Sequence, residues 1–144
     1  MIVMKFGGTS VGSSTAIRRV GQIIQSRLAQ QPIVVVSAVG QVTDVLVEIG
    51  QYAAKRDRIK SFELILAVIR THQNMMKELQ LTDGALKAVV QETEEQLKKI
   101  TEVVMQAGHL SRHVSDELLS IGEFLSAHIL RDRKSTRLNS SHRI

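Results

Sequence analysis

A lysine followed by two glycines, in Lys5-Phe6-Gly7-Gly8-Thr9-Ser10-Val11-Gly12, is the segment best equipped for chemistry. Backbone N–H groups around Gly7 and Gly8 carry no Cβ obstruction and can point at phosphate oxygens. A helix starting just downstream would add a dipole that favours anions. The pattern differs from the two common nucleotide loops. Gly7 and Gly12 have the G-x-x-x-x-G spacing, but Ser13 and Ser14 stand where Lys-Ser/Thr is required, and there is no G-x-G-x-x-G. Because Lys5 precedes the glycines, its ammonium would meet phosphates from the strand side. Pattern alone leaves such a turn as often structural as functional. Two further segments raise its standing. Ser37-Ala-Val-Gly-Gln-Val-Thr-Asp44 follows an apolar run, at the carboxyl end of a strand, where open α/β sheets hold ligands. Asp116-Glu-Leu-Leu-Ser-Ile-Gly-Glu123-Phe-Leu-Ser-Ala127 sets Gly122-Glu123 inside an apolar helical pattern. A glycine there costs about 1 kcal/mol relative to alanine, so a packing or ligand reason is expected.

The elements that must position these segments can be read from periodicity. Residues 2–6, Ile-Val-Met-Lys-Phe, form a short apolar run ending at Gly7-Gly8, a strand entering a tight turn. Ser13 or Ser14 can cap a helix whose apolar stripe is Ile17, Val20, Ile24 and Leu28. After Pro32 the β-branched run Ile33 to Val36 suits a strand covered on both faces, as in a parallel sheet. Residues 1–37 therefore read as a βαβ unit. Thr43 or Asp44 is expected to cap a helix running to about Lys55. Phe62, Ile65, Ile69, Met76 and Leu79 mark one amphipathic helix, and Leu86, Val90, Leu97, Ile100, Val104 and Ala107 a second, with Thr82-Asp83-Gly84 turning between them as an antiparallel hairpin. Gly108-His109 ends the second, and Ser115 is expected to cap a last helix with Asp116 and Glu117 in its first turn.

Composition narrows the classes. The chain has 144 residues, 43% hydrophobic and 23% charged, which suffices for one domain with a core. Zero cysteines exclude disulfides, thiolate metal sites and cysteine nucleophiles. No run approaches the roughly 20 apolar residues of a membrane span, and the N-terminus lacks a signal peptide's pattern, so no membrane partner and a cytoplasmic setting are expected. The formal charge of +5 suggests nucleic acid, yet Arg131, Arg133, Lys134, Arg137 and Arg143 against Asp132 account for four of those charges. With a near-neutral body and 3% aromatics, no nucleic-acid partner is expected. His72, His109, His113 and His128 have no partners at metal-ligand spacing and read as surface or loop residues. Met75, Met76 and Met105 read as core fillers, and Glu92, Glu94, Glu95, Lys98 and Lys99 as a solvated helix face.

Taken together, the three segments resemble aspartate kinase, the amino-acid-kinase-fold enzyme. Its opening Lys-Phe-Gly-Gly-Thr-Ser stands unaltered at 5–10, its Ser-Ala and Thr-Asp at Ser37-Ala38 and Thr43-Asp44, and its Leu-Leu-Ser-x-Gly-Glu-x-x-Ser-Ala at 118–127. The loop Val39-Gly40-Gln41-Val42 departs from the family, which often has Met-Gly there. The resemblance implies a three-layer α/β/α fold with a mainly parallel sheet. Residues 1–133 would be the N-terminal part of the catalytic domain, with a helical insertion at about 58–112. It implies ATP-dependent phosphorylation of the L-aspartate side chain. Lys5 would stabilise the transferring phosphoryl group, and Phe6, Gly7, Gly8, Thr9, Ser10 and Ser37 would contact ATP. Thr43 and Glu123 would hold aspartate, with Mg²⁺ carried by the nucleotide. The full-length protein would be a homo-oligomer. The family's catalytic domain is longer than this chain, so the chain is expected to be an inactive fragment with an incomplete sheet. Residues 134–144, rich in serine and arginine without an apolar stripe, resemble translated adapter or vector bases and are expected to be a non-native or disordered tail. Two alternatives are another kinase of the same fold, acting on a different carboxylate or on a phosphate, and a non-catalytic helical interaction module.

Overall fold

In the computed structural model of the chain, backbone is described for residues 1–142 and side chains for residues 1–133. The expectation for a tail at 134–144 falls outside the described side chains. Two strands, β1 (Ile2–Phe6) and β2 (Pro32–Val36), pair in parallel, with Ile2 opposite Pro32 and Phe6 opposite Val36. Pro32 opens its strand, the position where a missing N–H costs the ladder least. Between them lie helix α1 (Ser14–Ser26) and a short 3-10 turn at Leu28–Gln30. The chain then runs through α2 (Val42–Ala54), α3 (Arg58–Glu78), α4 (Gly84–Ala107) and α5 (Arg112–His142). The α/β class, the parallel pairing and the helical hairpin of α3 and α4 are as expected.

Caps explain most boundaries. Ser13 Oγ accepts from Ala16 N at 3.1 Å, Asp57 Oδ1 from Lys60 N at 3.0 Å, and Asp83 Oδ1 from Ala85 N at 2.9 Å. Gly108, at φ +74°, closes α4 in the left-handed conformation that glycine adopts without strain. Two expected caps are displaced. Helix α2 starts from Gln41, which makes no side-chain cap, so Thr43 and Asp44 sit in its first turn. Helix α5 starts one turn earlier than expected because Ser111 Oγ accepts from Val114 N at 3.2 Å. Ser115 is therefore inside the helix, as is His113, while Asp116 and Glu117 fall beyond the first turn.

One continuous core joins the sheet to the helices. Helix α5 packs on β2, α1, α2 and α4, and α2 packs in turn on the α3–α4 hairpin. Ile17, Val20 and Ile24 of α1 are buried as their spacing predicts, and Met75, Met76 and Met105 fill the core. The sheet departs from expectation. Helices cover only the face bearing Met4, Phe6, Val34 and Val36, while Val3, Ile33 and Val35 are 67%, 49% and 43% exposed. His72 is also corrected: it is fully buried in α3, not at the surface. Its Nδ1 lies 2.7 Å from the Val68 carbonyl oxygen, and Nε2 has no partner. Burial holds its pKa below the usual imidazole value.

Candidate active site

The loops that follow the two strands meet at one end of the sheet. After β1, Ser10 N donates to Gly7 O at 3.0 Å and Gly12 N to Thr9 O at 3.4 Å, winding the chain into α1. After β2, Ser37 N donates to Phe6 O at 3.0 Å, continuing the ladder, and Val42 N to Val39 O at 3.0 Å turns the chain into α2. Gly40 holds φ +46°, and a Cβ on it would lie 3.4 Å from Gly12 O, so the loops touch. Helix α5 secures the second loop twice. Ser126 Oγ donates to Ser37 O at 2.6 Å. Gly122 packs so closely that a Cβ would lie 2.8 Å from the Ala38 Cβ. This packing accounts for a glycine within an apolar helix.

The loops form two walls of a cleft of about 960 Å³, a volume in the range of small-ligand sites. Gly8, Thr9, Gly12, Ser13 and Ser14 line the first wall and Val39 to Val42 the second; α3 closes the cleft with Thr71, Asn74 and Glu78 among its contributions. A Cβ on Gly7 would meet nothing within 4 Å, and one on Gly8 only Ala38 O at 3.9 Å. The chain's own packing therefore does not demand these two glycines, and the space beside them is open to a ligand.

Of the residues singled out from sequence, Gly8 and Thr9 line this cleft. Gly7 and Ser10 belong to the same turn, and both are exposed. Phe6 directs its ring into the core, so its contribution at the rim is main chain. Lys5 stands one residue earlier, exposed on the uncovered face of the sheet and opposite Val35 rather than within the cleft. Ser37 is half-buried, its main chain engaged on both sides. Thr43 is exposed in the first turn of α2, and Glu123 is exposed on α5 beside the Gly122 contact. Neither lines the cleft.

Sequence reading missed the wall built by α3. Ala67, Thr71, Asn74 and Glu78 recur every three or four residues, so they share one helix face. That stripe shares α3 with the apolar stripe of Ile65, Ile69 and Met76, and helical spacing alone does not distinguish a cleft-lining face from a solvated one. Ser14 Oγ donates to Glu78 Oε2 at 2.5 Å, and Arg18 Nη2 to the Glu78 carbonyl oxygen at 2.5 Å.

A parallel βαβ unit with a glycine turn between strand and helix, and a second loop at the same end of the sheet, define the class. Residues 1–137 match the amino acid kinase family, and the chain belongs to it. Its relatives within that family include aspartokinases and bifunctional aspartokinase/homoserine dehydrogenases. It is 38% identical over 130 residues to the aspartokinase of Chlamydia muridarum (strain MoPn / Nigg), covering 90% of this chain and 26% of that protein. It is 34% identical over 131 residues to a chloroplastic bifunctional aspartokinase/homoserine dehydrogenase of Daucus carota, covering 89% of this chain and 14% of that protein. Among solved structures, E. coli aspartokinase III in complex with aspartate and ADP (R-state) superposes with a TM-score of 0.79 at 25% identity, covering 95% of this chain and 29% of that one. The same enzyme with lysine and aspartate (T-state) gives 0.73 at 28% identity. The resemblance drawn from the three sequence segments is borne out. The chain spans 14% and 26% of the length of the two curated relatives.

Proposed function

We propose that this chain is the N-terminal part of the catalytic domain of an aspartate kinase. The reaction is transfer of the ATP γ-phosphoryl group to the side-chain carboxylate of L-aspartate, giving 4-phospho-L-aspartate and ADP, a first step towards lysine, threonine and methionine. The observation that carries this reading is the meeting of both post-strand loops and the α1 N-terminus at one cleft. The open space where Gly7 and Gly8 lack a Cβ supports it, as do the aspartokinase relatives.

A carboxylate oxygen of aspartate attacks the γ-phosphorus, and the bond to the β–γ bridging oxygen breaks in line. No proton need move, because the nucleophile is already an anion. The protein's work is therefore positioning and charge stabilisation. Amides of the Gly7–Ser10 turn and the N-terminus of α1 hold the phosphates. Lys5, at the end of β1, brings its ammonium to the γ-phosphoryl group from the sheet side. Thr43 and Glu123, which flank the cleft without lining it, would hold aspartate, Glu123 receiving the α-ammonium, and Ser37 at the end of β2 would contact the nucleotide. The cleft offers hydroxyls, the two side-chain amides of Gln41 and Asn74, and a single carboxylate, Glu78. That donor set fits a nucleotide that carries its own Mg²⁺, which would neutralise phosphate charge.

Calorimetric titration of the 144-residue chain with ADP and with ATP, and hydroxylamine trapping of the acyl phosphate, test the reading. We expect ADP binding, and ATP binding that Lys5→Met weakens about ten-fold or more, as loss of a charge-assisted contact to the γ-phosphate does. We expect no hydroxamate from this chain alone, and aspartate-dependent hydroxamate from the longer protein. Turnover by the isolated chain would overturn the inactivity. Preference of the longer protein for glutamate or a nucleoside monophosphate would favour another kinase of the family.

A further inference from the structure

We propose that Glu78 is a latch, an internal carboxylate that holds the α1 N-terminus against α3 and must yield it when phosphate enters. This rests on the reading of the cleft as a nucleotide-phosphate site. Glu78 is the only carboxylate among the described residues lining the cleft, and its Oε2 accepts from Ser14 Oγ at 2.5 Å. Ser14 is the first residue of α1 and is 8% exposed. Its hydroxyl has one proton and can donate to one acceptor at a time. A phosphate oxygen seated at the α1 N-terminus therefore takes Ser14 only when Glu78 gives it up. Two anions brought to the same hydroxyl also repel one another.

The latch has a second bond that does not compete. Arg18 Nη2 donates to the Glu78 carbonyl oxygen at the last turn of α3, where carbonyls lack helical partners and a cation is favoured by the dipole. Helix α1 packs on α5, whereas α3 packs on α2 and α4. These two hydrogen bonds thus span the cleft between two separately anchored helices. Release of the carboxylate loosens the α3 end at the lip, with the Arg18 bond limiting how far it moves. The hairpin becomes part of the phosphate site, and its carboxylate sets the threshold for entry.

Glu78→Gln tests this, because it removes the charge while keeping size and the Arg18 bond. The probe is ADP, titrated calorimetrically into the 144-residue chain with and without Mg²⁺. We expect Glu78→Gln to bind ADP about five- to ten-fold more tightly in both conditions, the range for exchanging a charged hydrogen-bond acceptor for a neutral one. Hydrogen exchange gives a second readout. The amides of Leu79 and Leu81, which bond to Met75 O at 2.9 Å and Met76 O at 2.8 Å, should exchange faster when ADP is added to the unmodified chain. In Glu78→Gln they should be fast already and should not respond. Matching thermal unfolding shows that the variant is folded, and Glu78→Ala should repeat the direction of the affinity change. Equal ADP affinity in the unmodified chain and Glu78→Gln overturns the latch and leaves the nucleotide reading standing. Weaker binding of Glu78→Gln in Mg²⁺ alone also overturns it, making Glu78 a partner of the nucleotide's cation. Failure of both proteins to bind ADP refutes the nucleotide reading, and the latch with it.

Discussion

Helix α5 crosses the loop after β2 so closely that Gly122 has no room for a side chain. A Cβ there would lie 2.8 Å from the Ala38 Cβ, 3.1 Å from Leu46 Cδ1 and 3.3 Å from Val42 Cγ1. The leucine and valine tips can rotate away, but the Ala38 methyl is fixed to the loop backbone. Loop or helix must therefore retreat by more than half an ångström before the contact reaches an ordinary 3.4 Å. Overpacking of this kind costs about 1–3 kcal/mol. Replacing a helix-interior glycine by alanine returns about 1 kcal/mol of helix propensity. Gly21 in α1 separates the two effects, because it too is buried yet a Cβ there meets nothing within 4 Å. Gly21→Ala should therefore exceed the unmodified chain by about 1 kcal/mol, and Gly122→Ala should fall below Gly21→Ala by about 1–3 kcal/mol. Urea unfolding of the three proteins, read as a shift of midpoint at constant slope, measures both differences. If Gly122→Ala proves as stable as Gly21→Ala, the close approach of α5 to Ala38 is wrong. The glycine would then call for a ligand explanation instead.

Ser126→Ala removes the 2.6 Å hydrogen bond to the Ser37 carbonyl oxygen, and should lower stability by about 1 kcal/mol in the same urea assay; no change would mean that the α5 anchor does not hold the loop. His72 predicts a pH dependence. The Val68 carbonyl must accept from Nδ1–H, so Nε2 carries the bare lone pair of a neutral ring, and protonation would place an unpaired charge in the core. The folded pKa is depressed by burial, so the unfolded chain binds the proton first. Stability is then full above about pH 6.5 and is lost as pH falls below it, towards the folded pKa. His72→Leu should flatten that acid limb, and parallel acid limbs for the two proteins would sink the account.

Much of the fold was legible because helices and strands write their burial into the sequence at different periods. The α1 stripe, the α3–α4 hairpin and the Gly108 stop follow from spacing and from glycine's access to positive φ. Caps were less legible where several hydroxyls compete. Ser111 and Ser115 both precede apolar residues, and only three-dimensional placement chooses Ser111. His72 was missed because a lone histidine looks polar; its burial depends on a single bond to its own helix, at Val68, which spacing cannot show. For the site, the glycine turn and the Ser37–Asp44 loop were visible as chemistry. Glu78 was not, because its partners Ser14 and Arg18 lie 64 and 60 residues away.

The uncovered sheet face shows where hydrophobic pattern stops being informative. The run from Ile33 to Val36 is apolar at every position, the signature of a strand buried on both sides, yet Ile33 and Val35 are exposed and sit beside Val3 in a bare apolar stripe. Periodicity reports that a residue is suited to burial; it does not report what buries it. The same strands place Lys5 in register with Val35 on that face. A lysine among apolar neighbours on an open sheet keeps its ammonium hydrated, as an ordinary surface lysine does. Its capacity to stabilise a transferring phosphoryl group grows as water is excluded around it. The catalytic strength proposed for Lys5 therefore depends on a cover for Val3, Ile33 and Val35 that the described residues do not supply. This is a physical reason to expect phosphate binding from this chain and turnover only from the longer protein.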